Sequence, residues 1–303
     1  IIGSHAGYDP KGATYSGSYN LFAGYGAGLY TGGDSVVALG AYAGYNATGS
    51  FNTFVGKQAG QGGTTSAPYS SGQYNTAVGY KALLGFTTSN YNVAIGYEAG
   101  IAVTTGGSNV FLGGYRAGYA NTTGNNNIMI GHLAGGSNVS GDEMVLIGTA
   151  AGYNLNHDTD NDGAVFIGYN AGYNYVSGGG GGVFIGWKAG QMADAASTNA
   201  VYNTYVGYEA GRFLDDGVNN VALGHQAMRS ADADGQNAQY NVGVGMQALY
   251  AITDADYNVA IGNLSGKDIV WDYLELHTLI SKRYSNQKIL ILNMKMNGKI
   301  QTD

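Results

Sequence analysis

Asp158, Asp160 and Asp162, followed by Gly163 in the run HDTDNDG, have the one-three-five carboxylate spacing and the sixth-position glycine of a calcium-binding loop. Carboxylates so spaced can converge on one hard cation, and the glycine permits the sharp turn between them. At the twelfth position Tyr169 stands where such a loop supplies its bidentate Glu. The candidate metal ligands are therefore Asp158, Asp160 and Asp162, with calcium as the ion, and a hydrated acidic turn accounts for the same residues. Nothing else in the chain asks for a cofactor. The shorter DADG from Asp232 to Gly235 and the pair Asp215 and Asp216 lack the spacing.

Other chemistry is sparse. The five histidines, His5, His132, His157, His225 and His277, occur singly, and the absence of cysteine removes thiol catalysis, thiolate metal sites and disulfides together. His132 and His225 occupy a position where Tyr97, Tyr169 and Trp187 also stand, which suits a ring-sized surface residue better than a metal ligand. Hydrolysis of a polysaccharide by a β-solenoid needs a carboxylate cluster on its strands, whereas the acidic residues here lie in loops, so no enzyme is expected. Asn46, Asn121, Asn138 and Asn263 match glycosylation acceptor triplets.

The elements that position these residues come from a repeat. NTAVGYKAL from Asn75, NVAIGYEAG from Asn92 and NTYVGYEAG from Asn203 are copies of one phrase, and aligning all copies on the central glycine gives fifteen, from Gly3 to Gly262, at intervals of 16 to 23 residues. A strand-like phrase followed by an elastic remainder reads as one coil of a solenoid per repeat. With the opening Asn as position 0 and the anchor glycine as position 4, position 0 is Asn in ten of the fourteen copies that contain it. A small pair follows the anchor, Ala in fourteen of fifteen copies and then Gly in twelve, with Leu83, Met228 and Leu249 as the exceptions. This pair marks a tight corner, and the anchor glycine implies close backbone approach or a positive φ.

Positions 1 and 3 are β-branched or Leu in nearly every copy, as in Thr76, Val78, Val93 and Ile95, and share one strand face by the period of two. That face is expected to pack inside the coil. Position 2, which alternates between small and aromatic at Ala77, Ala94, Phe111, Phe184 and Tyr205, is expected to be covered by further copies of the chain. Tyr or Phe precedes the Asn in seven copies, at Tyr19, Phe51, Tyr74, Tyr91, Tyr202, Tyr240 and Tyr257. Stacked coils would set these rings into a partial column beside a column of Asn.

The expected fold is all-β: a parallel β-roll or β-solenoid of about fifteen coils over residues 1–266, about 70 Å long at ~4.8 Å per coil, and a short β-rich C-terminal module over residues 267–303. In that module IVWDYLELHT, KILILNM and KMNGKIQ read as strands, with a turn at Asn297 and Gly298. With 20 acidic and 13 basic residues, and a net charge of −7, nucleic acid is not an expected partner. No apolar run approaches the ~20 residues that span a bilayer. The chain begins in the middle of a repeat phrase, so Ile1 is expected not to be the biological N-terminus.

The phrase of Asn, β-branched residue, Ala, Ile, Gly and a small-residue corner resembles the head repeats of trimeric autotransporter adhesins, although those repeats are shorter and more uniform. It is similar also to the NTAIGYQAG-type repeats of bacteriophage tail fibres. The resemblance covers residues 1–266 and implies a homotrimeric, extracellular or virion-borne structural fibre. It implies contact with host cell-surface glycans and with other virion or fibre components. The other reading it carries is a bacterial trimeric surface adhesin or extracellular filament subunit. Handedness and the number of strands per coil are left open.

Overall fold

A computed structural model describes residues 2–8, 17–63, 69–155, 162–175, 181–192, 200–230 and 237–267, together with the backbone of three later strands at 276–280, 293–294 and 300–301. The chain divides into two units, Ile1–Tyr153 and Asn154–Asp303. Each is built around a parallel β-solenoid, and the described residues contain no helix.

In the first unit the strands are β1 (Leu21–Ala23), β2 (Val37–Leu39), β3 (Thr53–Val55), β4 (Thr76–Val78), β5 (Val93–Tyr97), β6 (Val110–Tyr115), β7 (Ile128–Ile130) and β8 (Val145–Ile147). Each pairs parallel and in register with the next, Thr76 with Val93 and Val78 with Ile95 for example, giving seven turns. The first copy of the phrase adds only an isolated bridge between Ile2 and Ala23. The second unit repeats the arrangement in five turns, with β9 (Val165–Ile167), β10 (Val183–Ile185), β11 (Thr204–Val206), β12 (Val221–Leu223), β13 (Val242–Val244) and β14 (Val259–Ile261). One short strand per coil answers the question the sequence leaves open. Beyond these lie β15 (Leu276–Ile280), parallel to β14, and the antiparallel β16 (Asn293–Met294) and β17 (Ile300–Gln301). The turn expected at Asn297 and Gly298 falls outside the described residues.

Three backbone rungs join one coil to the next. In the strand, Thr76 N–H donates to Asn92 O at 2.8 Å; at the Ala-Gly corner, Gly100 N–H donates to Ala117 O at 2.9 Å; on the third side, Thr104 N–H donates to Thr122 O at 2.9 Å. The anchor glycines crowd one another. At Gly56, with φ +130°, a Cβ would stand 2.5 Å from the carbonyl oxygen of Gly79, so both reasons expected for glycine hold at once.

The faces are the reverse of the expectation. Position 2 is the buried one: Phe22, Phe54, Ala77, Ala94, Phe111, Met129 and Leu146 in the first unit, and Phe166, Phe184, Tyr205 and Ala222 in the second, are enclosed within their own coils. Positions 1 and 3 point outward, and Ile95 is 42% exposed where its neighbour Ala94 is fully buried. The interior of so narrow a coil admits one side chain from the strand, and it meets the corner Ala and a residue of the third side such as Phe86, Val103 or Tyr175, all buried. In the second unit the rings of Phe166, Phe184 and Tyr205 stack at 4.7 and 5.0 Å between centroids.

The opening Asn is a coil-to-coil staple. The buried Asn75 side chain accepts the backbone N–H of Asn92 at 3.0 Å and donates to Ser89 O at 2.9 Å. Asn92, Asn109 and Asn127 repeat this in the first unit, as do Asn203, Asn220 and Asn241 in the second. An amide suits the place because it offers an acceptor and a donor on one rigid group, and leaving either backbone partner unpaired in this interior would be costly.

Candidate functional site

Two aromatic ladders on the described surface arise from stacking the same position of successive coils. Position 5 follows the anchor glycine and faces outward. There Tyr80, Tyr97, Tyr115 and His132 stack at 5.3, 5.4 and 5.2 Å between ring centroids. In the second unit Tyr169, Trp187, Tyr208 and His225 stack at 6.0, 4.6 and 5.1 Å. His132 and His225 thus serve as ladder rings, as the sequence suggests. The copy at Gly113 carries an extra residue, Gly114, which a bulge between Ile95 and Tyr97 absorbs so that Tyr115 keeps its place opposite Tyr97.

Cations lie over this ladder. Arg116 sits over Tyr115 at 4.8 Å and Lys188 over Trp187 at 4.3 Å. Arg116 also donates to Glu98 at 2.8 Å, which raises its pKa from the usual guanidinium value. Partial desolvation and the charge of Glu98 push the Tyr97 phenol up. In the second unit Glu209 pairs with Arg212 and Arg229 and accepts from Gln226 at 2.9 Å. Burial works to raise the Glu209 pKa, but the Gln226 hydrogen bond and the two arginines outweigh it and hold the carboxyl below its ordinary value.

A second column runs along position −1. Phe51, Tyr74 and Tyr91 stack at 5.0 Å with planes within 5° of parallel, and Tyr240 stacks on Tyr257 at 4.9 Å. All five have φ between 56° and 61°, a left-handed conformation uncommon outside glycine. The first run ends at Tyr91, because the next two coils place Ser108 and Asn126 at this position. There the surface opens into a groove of about 460 Å³ lined by Asn90, Tyr91, Thr105, Gly107, Ser108, Asn125, Asn126 and Asp142.

The polar groups of the groove are held in place by a further ladder at position −2. Asn90 Oδ1 accepts from Gln73 N–H at 2.7 Å, Asn125 Oδ1 from Gly107 N–H at 2.8 Å, and Asp142 Oδ1 from Asn125 N–H at 2.5 Å. Asn125 Nδ2 donates to Thr123 O at 2.9 Å. Amide and carboxylate groups are thereby presented at fixed orientation beside an exposed ring. Sequence reasoning finds the aromatic column but misses the groove, whose signal is the break in that column.

Of the candidate calcium ligands, Asp158 and Asp160 lie outside the described residues. Asp162 is exposed, one residue before Gly163 at φ +75°. Among the described residues no group of three or more His, Asp or Glu is placed to hold a metal ion. Asn46, Asn121 and Asn138 are buried and so cannot serve as glycan acceptors in the folded chain; Asn121 accepts instead from Asn138 at 2.7 Å. Asn263 is exposed. No protein-family model, no curated protein and no solved structure matches the chain.

Proposed function

We propose that the chain is the repeat shaft of a homotrimeric extracellular attachment fibre, a bacteriophage tail fibre, which holds a tip away from the particle and touches host surface glycans along its length. The observation that carries this reading is the outward strand face. Leu21, Ile95 and Ile128 in the first unit and Leu223 and Ile261 in the second are apolar, large and exposed, and the rows they belong to repeat at every rung. A stripe of this kind is self-complementary, because each copy of the chain carries it with the same spacing. Packing three copies face to face would remove it from water. The coil interior is already filled by position 2, so positions 1 and 3 are the faces that would meet between chains. The repeat phrase, which resembles those of tail fibres and trimeric adhesin heads, supports the same reading, as does a surface with only 11% charged residues. Other fibre or virion components would join at the ends.

Native mass measurement on the purified chain should give a trimer, and the double variant Ile95→Asp with Ile261→Asp should give a folded monomer. A wild-type monomer would overturn the assembly. Adsorption of the labelled chain to bacterial cells, competed by surface polysaccharide extracted from them, tests the attachment role. A chain that adsorbs to no bacterial surface would overturn that role.

A further inference from the structure

The groove beyond Tyr91 is one place where an exposed aromatic column stops while the coils continue. We propose that it is a saccharide-binding site, in which one neutral pyranose ring seats on Tyr91 in place of the missing rung and the sugar chain continues over Ser108 and Asn126 toward Asp142. The proposal rests on the reading of the chain as a surface-attachment fibre and names where the glycan is held.

Tyr91 is 60% exposed, with one ring face covered by Tyr74 at 5.0 Å. The place above it, one coil step of ~4.8 Å away, belongs to Ser108 and lies within the groove. A ring is what the column is built to accept there, and the C–H face of a pyranose packs on an aromatic surface as apolar area. Around that place stand groups that match hydroxyls. Ser108 and Thr105 donate and accept, while the amides of Asn90 and Asn125 are fixed through backbone hydrogen bonds from Gln73 and Gly107. A preorganised polar set loses little freedom on binding. Asp142 lies at the far end and Glu143 follows it, so the local charge is negative and repels sialylated, uronic or sulfated sugars. The groove volume of about 460 Å³ falls in the range of small-molecule sites. Three chains, each with this groove, would reach a dense glycan surface through effective concentration even with weak single sites.

The test is calorimetric titration of the whole chain with neutral hexasaccharides of glucose, mannose, galactose and N-acetylglucosamine, beside a sialylated and a sulfated oligosaccharide. At least one neutral sugar is expected to bind with a Kd below about 10 mM, and the anionic ones not to bind. Ser108→Tyr supplies the missing rung. Ser108 has φ 58°, inside the range of Tyr74 and Tyr91 at 57° and 61°, so the tyrosine extends the stack and blocks the site. It should lower affinity at least tenfold, as should Tyr91→Ala, while Tyr257→Ala at the other column leaves it unchanged. Should Ser108→Tyr not fold, Tyr91→Ala carries the same test. Binding by none of the neutral sugars, preference for the anionic ones, or affinity unmoved by both groove variants would overturn the site. Cell adsorption separates the two readings. Adsorption that survives in a chain whose groove binds no sugar sinks the site alone, whereas groove-dependent sugar binding in a chain that adsorbs to no cell sinks the fibre reading alone.

Discussion

Gly172 lies so close to Phe166 that a Cβ on it would stand 2.6 Å from the ring. The two belong to one copy of the repeat, at positions 8 and 2. The relation is general: Phe22, Phe54, Phe111, Met129, Leu146, Phe166, Phe184 and Tyr205 at position 2 all have Gly at position 8. In the three copies where position 8 is large, Leu83, Met228 and Leu249, position 2 is Ala77, Ala222 and Gly243. No coil fills its interior from both the strand and the corner; where both are small, as at Ala38 with Gly44 and Ala94 with Gly100, the ring of the next coil, Phe54 or Phe111, lies against the glycine.

This yields a double-mutant cycle in the first unit. Ala77→Phe alone should destabilise by about 3 kcal/mol through overpacking, and Leu83→Gly alone by about 3 kcal/mol through the cavity it leaves. The pair together restores the arrangement of Phe166 with Gly172 and should lie within about 2 kcal/mol of the wild type. Denaturant unfolding of the four proteins measures the coupling. Additive losses would mean that the two positions do not share one volume.

The reversed strand faces give a sharper contrast between adjacent residues. Ala94 is fully buried and Ile95 is 42% exposed. Ala94→Asp places an unpaired carboxylate in a dry interior and should prevent the coil from forming, a loss above about 4 kcal/mol. Ile95→Asp should cost the isolated coil less than about 1 kcal/mol and act instead on self-association. Circular dichroism of each variant, read together with its mass in solution, distinguishes the two effects. Similar melting losses for both variants would contradict the burial pattern.

The sequence shows the repeat, the anchor glycine, the Asn column and the stacked rings directly, because each is a residue type held in phase by the ladder. The direction of the faces was not legible by the usual rule. β-branched residues at positions 1 and 3 read as a core stripe, yet they are kept outward, where they stack rung upon rung as cross-strand pairs. The better signal was size compensation between position 2 and the corner, as in Ala222 with Met228, since only residues sharing a confined volume need to compensate. The groove was hidden for a different reason. It is marked by what Ser108 and Asn126 are not, and an interrupted column is informative only once its rings are known to stack. The aspartate run is legible as spacing alone, with Asp158 and Asp160 outside the described residues.

Asn92 tests the staple. Its Oδ1 accepts the Asn109 backbone N–H at 3.0 Å, and its Nδ2 donates to Gly106 O at 3.1 Å. Asn92→Ala leaves both partners unpaired in the interior and should destabilise by about 2–4 kcal/mol. Asn92→Asp keeps the acceptor but sets a carboxylate against the Gly106 carbonyl, and should be at least as damaging. Hydrogen exchange should show the loss of protection centred on the coils of Asn75, Asn92 and Asn109, because a solenoid passes stability mainly to nearest neighbours. Uniform loss across the chain would argue against that locality.

Glu209 sets the pH dependence of its part of the second unit. Its carboxyl is buried, which raises its pKa, but the Gln226 hydrogen bond and the charges of Arg212 and Arg229 outweigh burial and bring the value below normal. A carboxyl depressed on folding contributes stability that is fully present above its unfolded pKa of about 4.3. That contribution is lost as pH falls through the lower, folded value. Glu209→Gln removes the charge while keeping the shape, so it should cost about 1–3 kcal/mol at neutral pH and flatten the acid limb of the stability curve. The measurement is denaturant midpoint against pH from neutrality down to about pH 3 for both proteins. Parallel curves across that range would show that the pairs with Arg212 and Arg229 add nothing to folding. Convergence of the two curves at low pH would place the acid sensitivity at this residue.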